Sequence, residues 1–158
     1  MATHAVSSIN HRLAGTTTER PGRTSQRPLG LAGLAASLEI LVGIGAVFGG
    51  GLLVLAPDGH LLGMTTKLLG STPFPSFLIP GIILFGAIGL LPLTAAAITL
   101  RRHPIAPLLA VLVGITLIGW ITVEMVALAG AGSLAWALYL VLGTMIGSLG
   151  IARLRKRS

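Results

Sequence analysis

Four long apolar runs alternate with short polar segments along the chain. The runs cover about residues 29–57, 77–100, 105–129 and 133–152. Each is about as long as, or longer than, the ~20 residues that a helix needs to cross the ~30 Å hydrocarbon core of a bilayer. The pattern predicts an all-α membrane protein, a bundle of four transmembrane helices.

Positive charge is distributed unevenly among the polar segments. Ten of the eleven Lys and Arg residues lie in the N-terminal tail, the Arg101–Arg102 turn or the C-terminal tail, and the remaining one is Lys67. Cytoplasmic segments of membrane proteins retain Lys and Arg, whereas translocated segments avoid them. We therefore expect both termini to be cytoplasmic and the loop over 58–76 to lie outside.

The two tails differ from the apolar part of the chain. Residues 1–28 are rich in Ser, Thr and Arg and show no apolar periodicity. Burial in such a segment cannot offset the entropy cost of ordering it. We interpret 1–28 as a disordered cytoplasmic tail, 29–152 as the four-helix domain and 153–158 as a basic cytoplasmic tail. A cleaved signal is disfavoured, because the first apolar run is about twice as long as the apolar region of a signal peptide.

The loop over 58–76 contains apolar residues at roughly helical spacing. They are Leu61, Leu62, Met64, Leu68 and Leu69. This spacing predicts a short amphipathic helix that lies flat on the outer membrane surface. Residues 71–77 carry two prolines and two aromatic side chains and predict an ordered cap on the helix ends. A receptor or substrate lid is the alternative function of this loop.

Composition excludes several classes of protein. The chain is 53% hydrophobic and 9% charged, whereas soluble proteins are roughly 25% charged, so a soluble fold is excluded. The formal charge of +7 is not interleaved with aromatic residues, and we expect contacts with anionic membrane lipids and none with nucleic acid. The absence of cysteine, of paired histidines and of phosphate-binding motifs predicts no metal site and no cofactor.

Glu39 and Glu124 are the only acidic residues in the predicted spans. Ionisable groups in hydrocarbon are rare, so both are candidate functional residues. Glu39 shares a helix face with a strip of small residues that favours close helix packing: Ala35, Gly43, Ala46 and Gly50. Glu124 shares its face with Thr116 and Trp120. The Trp120 indole lies near the middle of its span and needs a buried partner, which Thr116, Glu124 or a facing helix could supply.

The two acids are predicted to lie at different depths. Glu39 is about four residues inward of the midpoint of its span, and Glu124 about seven residues outward, which separates them by ~16 Å along the membrane normal. They cannot share one proton as a catalytic dyad. Two interpretations remain: two stations on a polar route across the bundle, or two buried polar groups that hold helix register.

Pro92 and the glycines suggest where the helices bend and touch. Pro92 lies inside the second span and predicts a kink, with an irregular, protein-facing stretch over 92–94. Two glycine pairs spaced by four residues are close-approach motifs that serve either intramolecular packing or dimerisation: Gly45 with Gly49, and Gly143 with Gly147, continued by Gly150.

Several stretches resemble those of a known group of proteins. They are residues 39–57 with their glycine cluster, 57–59, 62–63, 71–74, 77–81 and 120–124. Over most of 29–152 the chain resembles small four-span integral membrane proteins of bacteria, of the actinobacterial type, a family without a defined activity. The resemblance implies a location in the bacterial inner membrane. It carries no catalytic or ligand-binding residue.

Three classes of function follow from these features. We expect a non-enzymatic accessory, scaffolding or lipid-interacting bundle, with a protein partner or a second copy as an open possibility. The alternative is a small transporter or channel subunit for protons, ions or an apolar solute that uses Glu39 and Glu124. An intramembrane isomerase or lipid-modifying enzyme would need one of these acids in a dry pocket. The sequence predicts no catalytic residue.

Overall fold

The computed structural model describes residues 30–70, 72–127 and 134–156, and within them the fold is helical without a strand. Four helices are long and apolar enough to cross a membrane: α1 (Leu31–Leu55), α2 (Leu78–Leu100), α3 (Ala106–Ala127) and α4 (Leu134–Arg155). The prediction of an all-α fold with four membrane-length apolar helices is confirmed. The predicted tail over 1–28 lies outside the described residues, as do residues 157–158, and residues 153–155 belong to α4.

Consecutive helices pack side by side. The most extensive contacts join α1 to α2 and α3 to α4, while smaller contacts join α1 to α4 and α2 to α3. The four helices thus close into a ring of two antiparallel hairpins. Its centre is filled by small and branched apolar side chains, including Val42, Ala95, Ala110, Leu117 and Ile146.

The outward faces of the helices are also apolar. Large side chains such as Leu41, Phe48, Leu55 and Val126 are more than half exposed. Helices that are apolar all round need a surrounding apolar phase as well as a packed core. The exposed surface of this bundle is therefore suited to lipid.

Glycines set the distance between neighbouring helices. A Cβ atom on Gly50 of α1 would lie 2.5 Å from the Phe85 backbone nitrogen on α2. One on Gly114 of α3 would lie 2.6 Å from the Gly143 carbonyl oxygen on α4. Any side chain at these two positions would push the backbones apart. Main-chain contact therefore holds the two helices of each hairpin together. On α4 this contact involves Gly143 and Gly147 of the predicted glycine motif.

Helix α2 changes its winding halfway along. It is α-helical over Leu78–Ile83, π-helical over Leu84–Leu90 and α-helical again over Leu91–Leu100. The Leu91 N–H donates to the Gly86 carbonyl, five residues earlier. Because Pro92 has no N–H to give to the turn before it, the wider winding redirects the hydrogen bonds there.

The prediction of an irregular stretch over 92–94 is therefore wrong in position. The irregular section of α2 precedes Pro92, and the winding after Pro92 is α-helical. Thr94 lies in this regular section, and its hydroxyl donates to the Leu90 carbonyl at 2.8 Å. The kink at Pro92 stays a prediction.

The segment between α1 and α2 contains two short 3₁₀ turns, His60–Leu62 and Thr66–Leu69, where one amphipathic helix was predicted. Gly63 lies between them with a φ of 65°, a left-handed conformation that stops helix propagation. Leu69 and Phe77 pack on Leu53 of α1. These contacts fasten the loop over the ends of the first hairpin.

Replacing Gly114 with Ala will test the main-chain contact. The added Cβ meets backbone atoms of Gly143 and Gly147 at 2.6–2.8 Å, so we expect the free energy of unfolding to fall by ~1–3 kcal/mol. The matched control is Gly119→Ala on the same helix, where the Cβ meets nothing within 4 Å. Unfolding in mixed detergent micelles, followed by circular dichroism, measures both. Equal stabilities of the two variants would contradict this packing.

Candidate functional site

Glu124 is held by two indoles. The Trp120 Nε1–H donates to Glu124 Oε1 at 2.7 Å, one helical turn away on α3. Trp136 in the first turn of α4 forms a second side-chain hydrogen bond with the same carboxyl group. The carboxyl group therefore fastens α3 to α4 near the ends at which these helices are connected.

A small cavity lies beside Glu124. It has a volume of about 150 Å³ and reaches across the bundle to α1. Gly45 and Gly49 form its α1 wall, and Trp120 and Tyr139 line the opposite side. A Cβ atom on either glycine would be 3.8 Å from its nearest neighbour. A Cβ atom at this predicted glycine pair would therefore make only ordinary van der Waals contact, whereas one at Gly43 or Gly50 would overlap neighbouring atoms.

The π-helical section of α2 forms another wall of this cavity. Leu84 and Ile88 both line it, whereas Pro92 is fully buried in the core. Sections of π-helix recur at functional sites, because the extra residue per turn shifts side chains out of the usual register. The π-helical section of α2 and the small cavity beside Glu124 therefore lie at the same place in the bundle.

Glu39 lies in a different environment. It is 0% exposed, on the face of α1 that also buries Ala35 and Gly43. Neither carboxyl oxygen has a hydrogen-bond partner among the described residues. Arg153 near the end of α4 interacts with it electrostatically. A buried carboxyl group without hydrogen bonds costs free energy, so Glu39 is the least satisfied polar group of the described bundle.

The structure keeps the two acids apart. The cavity beside Glu124 meets α1 at Gly45 and Gly49. These glycines lie six to ten residues beyond Glu39, which corresponds to ~9–15 Å of helix rise. Thr116 is half-buried and takes no part in the hydrogen bonds of Glu124 described above. The predicted polar site therefore divides into a Glu124 cluster and a separate Glu39.

Trp136 and Tyr139 belong to the Glu124 cluster but were not predicted from the sequence. Both occupy the beginning of α4, where aromatic residues are typical of a membrane interface. Their spacing of three residues places them on one helix face. That spacing indicates a shared face but does not reveal which helix it meets.

Asp58 and His60 form a local pair after α1. Asp58 Oδ1 lies 2.6 Å from His60 Nδ1, and the His60 backbone N–H also donates to it at 3.3 Å. The hydrogen bond with the His60 side chain, helped by the backbone bond, holds the pKa of Asp58 below its ordinary value. In the part of the chain that the structure describes, no group of three or more His, Cys, Asp or Glu side chains could hold a metal ion.

Comparisons with protein families, with curated proteins and with solved structures find no match to this chain. The functional proposal consequently rests on two features of the molecule. One is the pair of separated acids, and the other is the distribution of charge at the helix ends.

Two substitutions of Glu124 will measure the strength of the indole contacts. Glu124→Leu leaves the N–H groups of Trp120 and Trp136 without this acceptor, so we expect the free energy of unfolding to fall by ~1–3 kcal/mol. Glu124→Gln keeps one acceptor oxygen and should cost about half as much or less. Tryptophan fluorescence during unfolding in mixed micelles reports both. A Leu variant as stable as the Gln variant would contradict the contacts.

Proposed function

We propose that the chain is a multi-pass protein of the plasma membrane, the inner membrane of a bacterium, with both termini in the cytoplasm. Within that membrane it acts as a non-enzymatic accessory, scaffolding or lipid-interacting bundle. The four apolar helices support the membrane location. The resemblance to four-span bacterial membrane proteins supports the choice of membrane.

Charge at the helix ends supports the orientation. Arg101 and Arg102 follow α2, while Arg153 and Arg155 end α4, so these cations share one end of the antiparallel bundle with the start of α1. Lys67 lies at the opposite end. The end that is rich in Arg is the one expected to stay in the cytoplasm. The exposed leucines of the two 3₁₀ turns then face the outer membrane surface.

The packing of the two acids is the observation that carries the non-enzymatic role. Glu39 is sealed at 0% exposure. The cavity at Glu124 has about 150 Å³, whereas ligand pockets occupy roughly 300–1,000 Å³. Neither acid faces a space that would hold an ordinary substrate. This supports a structural function for both.

The outer surface supports contacts with lipid or with another helix. An apolar groove of about 440 Å³ runs between α1 and α4. Leu34, Leu140 and Leu149 line it, and Thr144 and Ser148 are its polar members. An acyl chain fits such a lining, as does an apolar helix of a protein partner or of a second copy.

A transporter for protons, ions or an apolar solute is the second candidate. Two observations favour it: the carboxyl oxygens of Glu39 lack hydrogen bonds within the described chain, and the π-helical section borders the Glu124 cavity. A buried acid without fixed partners is suited to exchange a proton. A change in the winding of α2 would offer a way to connect the depth of Glu39 with that of Glu124.

The orientation can be tested by labelling, because the chain contains no cysteine. We expect Lys67→Cys to react with a membrane-impermeant maleimide on intact cells, since residue 67 is exposed at the outer end. Arg155→Cys, at a position that is also exposed and lies at the opposite end of the bundle, should react only after the membrane is permeabilised. Labelling of position 155 on intact cells would contradict the proposed orientation.

Proton flux separates the two candidate functions. Vesicles that contain the purified protein and a trapped pH dye should leak protons no faster than empty vesicles, and Glu39→Gln should not change the rate, because the accessory bundle conducts nothing. The control is Asp58→Asn, which neutralises an exposed acid outside the helices. A leak that Glu39→Gln abolishes and Asp58→Asn preserves would reject the accessory role in favour of transport.

A further inference from the structure

A second cavity opens at the end of the bundle where the arginines lie. It has about 650 Å³, and we name it the basic cavity. Its walls include the first turn of α1 (30–33), Thr99 and Arg102 at the end of α2, and Arg153 and Lys156 at the end of α4. Three of these side chains are cationic and none of the lining residues is acidic. The cavity therefore attracts anions.

Thr99 supplies a buried hydroxyl at the wall of the basic cavity. The residue is 2% exposed, and its Oγ1 has no hydrogen-bond partner among the described residues. Three other helical threonines of the bundle donate to the carbonyl four residues earlier at 2.8 Å: Thr94, Thr122 and Thr144. Because a buried hydroxyl without a partner is unfavourable, the Thr99 hydroxyl is suited to bond a group that enters the cavity.

Arg102 stands in an unusual backbone conformation at the same cavity. Its φ of 57° is the only positive φ of a non-glycine residue in the described chain. The Arg102 N–H donates to the Thr99 carbonyl and the His103 N–H to the Ile98 carbonyl, the pattern of a helix end that ordinarily has glycine at the left-handed position. A left-handed backbone conformation is energetically unfavourable for an arginine. This residue nevertheless supplies a cation to the wall of the cavity.

The start of α1 adds main-chain donors. Its first helical hydrogen bond joins the Leu34 N–H to the Gly30 carbonyl at 3.1 Å, and no side chain caps the helix. The N–H groups of the preceding turn have no acceptor within the helix, and the positive end of the helix dipole favours an anion there. Arg153 also interacts with the carboxyl group of Glu39. With three cations in the walls, the cavity keeps its positive character.

We propose that the basic cavity binds a phosphate group, and that the phosphate belongs to the headgroup of an anionic phospholipid. A phosphate accepts hydrogen bonds from guanidinium, ammonium, hydroxyl and main-chain N–H donors, all of which meet here. The cavity lies where the apolar part of α1 begins, at the depth of lipid headgroups. Leu31 and Leu100 in its walls suit the first carbons of the acyl chains. This inference rests on the proposed lipid-interacting role and names its ligand.

The N-terminal tail is the competing occupant within the same chain. It ends at the start of α1, yet residues 1–29 carry four arginines and one glutamate. Its net positive charge repels the walls of the cavity. The sign of the charge therefore favours an anion from the membrane.

Thermal unfolding of the full chain in maltoside micelles tests the proposal. Added phosphatidylglycerol should raise the unfolding midpoint more than the same amount of zwitterionic phosphatidylcholine, because a ligand that binds only the folded state stabilises it. Thr99→Val and Arg102→Gly should each bind phosphatidylglycerol about tenfold more weakly or worse, as expected for the loss of a charge-assisted or buried hydrogen bond.

These variants separate binding from folding. Thr99→Val removes an unbonded hydroxyl and Arg102→Gly relieves a left-handed backbone, so their midpoints without lipid should equal or exceed that of the natural chain. The matched controls are Thr94→Val and Arg101→Ala, which change the same chemistry outside the cavity and should keep the full effect of phosphatidylglycerol. If all four variants respond to the lipid equally, the inference is overturned.

Inorganic phosphate distinguishes the source of the group. A midpoint raised by phosphatidylglycerol alone supports a lipid headgroup. A midpoint raised equally by millimolar inorganic phosphate supports the phosphate site and overturns its assignment to lipid. Extraction of the protein from membranes by alkaline carbonate would overturn the proposed membrane function itself. A chain that resists extraction and shows no preference for phosphatidylglycerol overturns only the lipid site.

Discussion

Close contact between helix backbones is the constraint on which this bundle depends. Lipid is as apolar as the helix surfaces, so burial of leucine between helices gains little, and association relies on tight packing. Gly50 and Gly114 allow that packing, because a side chain at either position would overlap backbone atoms of the neighbouring helix. The two hairpins thus form around main-chain contacts, and the remaining side chains adapt to the distances that these contacts set.

The two acids of the bundle lie where this packing is tightest, at Glu39, and where it is incomplete, at Glu124. Glu39 lies on the closely packed face of α1 and is sealed by it, whereas Gly45 and Gly49 on the neighbouring face leave space beside Glu124. The indoles of Trp120 and Trp136 then hold the Glu124 carboxyl group. Two acids that look alike in the sequence therefore have different surroundings, one without hydrogen bonds and one with two donors.

The charged end of the bundle combines two proposed roles. The arginines that follow α2 and end α4 favour a cytoplasmic location, and some of them also line the basic cavity. The left-handed conformation of Arg102 and the unbonded hydroxyl of Thr99 have no part in fixing topology. They are explained if the same end of the protein holds an anionic headgroup. Orientation and lipid recognition would then share residues, which fits a small protein with little surface outside the membrane.

The apolar runs were sufficient to predict four helices, because hydrophobic length alone decides whether a helix can cross a bilayer. The sequence also predicted Glu124 as one of the candidate partners of Trp120, because Glu124 follows it by one helical turn. The sequence could not give the partners on other helices. It did not reveal that Trp136 would meet Glu124 or that the glycine pair at 45 and 49 would border a cavity.

The winding of α2 before Pro92 and the assembly of the basic cavity were likewise decided by tertiary structure. The local pattern shows that Pro92 disturbs the helix, but the π-helical form of the section over Leu84–Leu90 is seen only in the structure. Gly30, Thr99 and Arg153 come from segments far apart in the chain and meet only when three helix ends are brought together. Sequence by itself determined where the chain can enter a membrane; which polar groups meet there was decided by packing between helices, because those contacts join residues that no local periodicity connects.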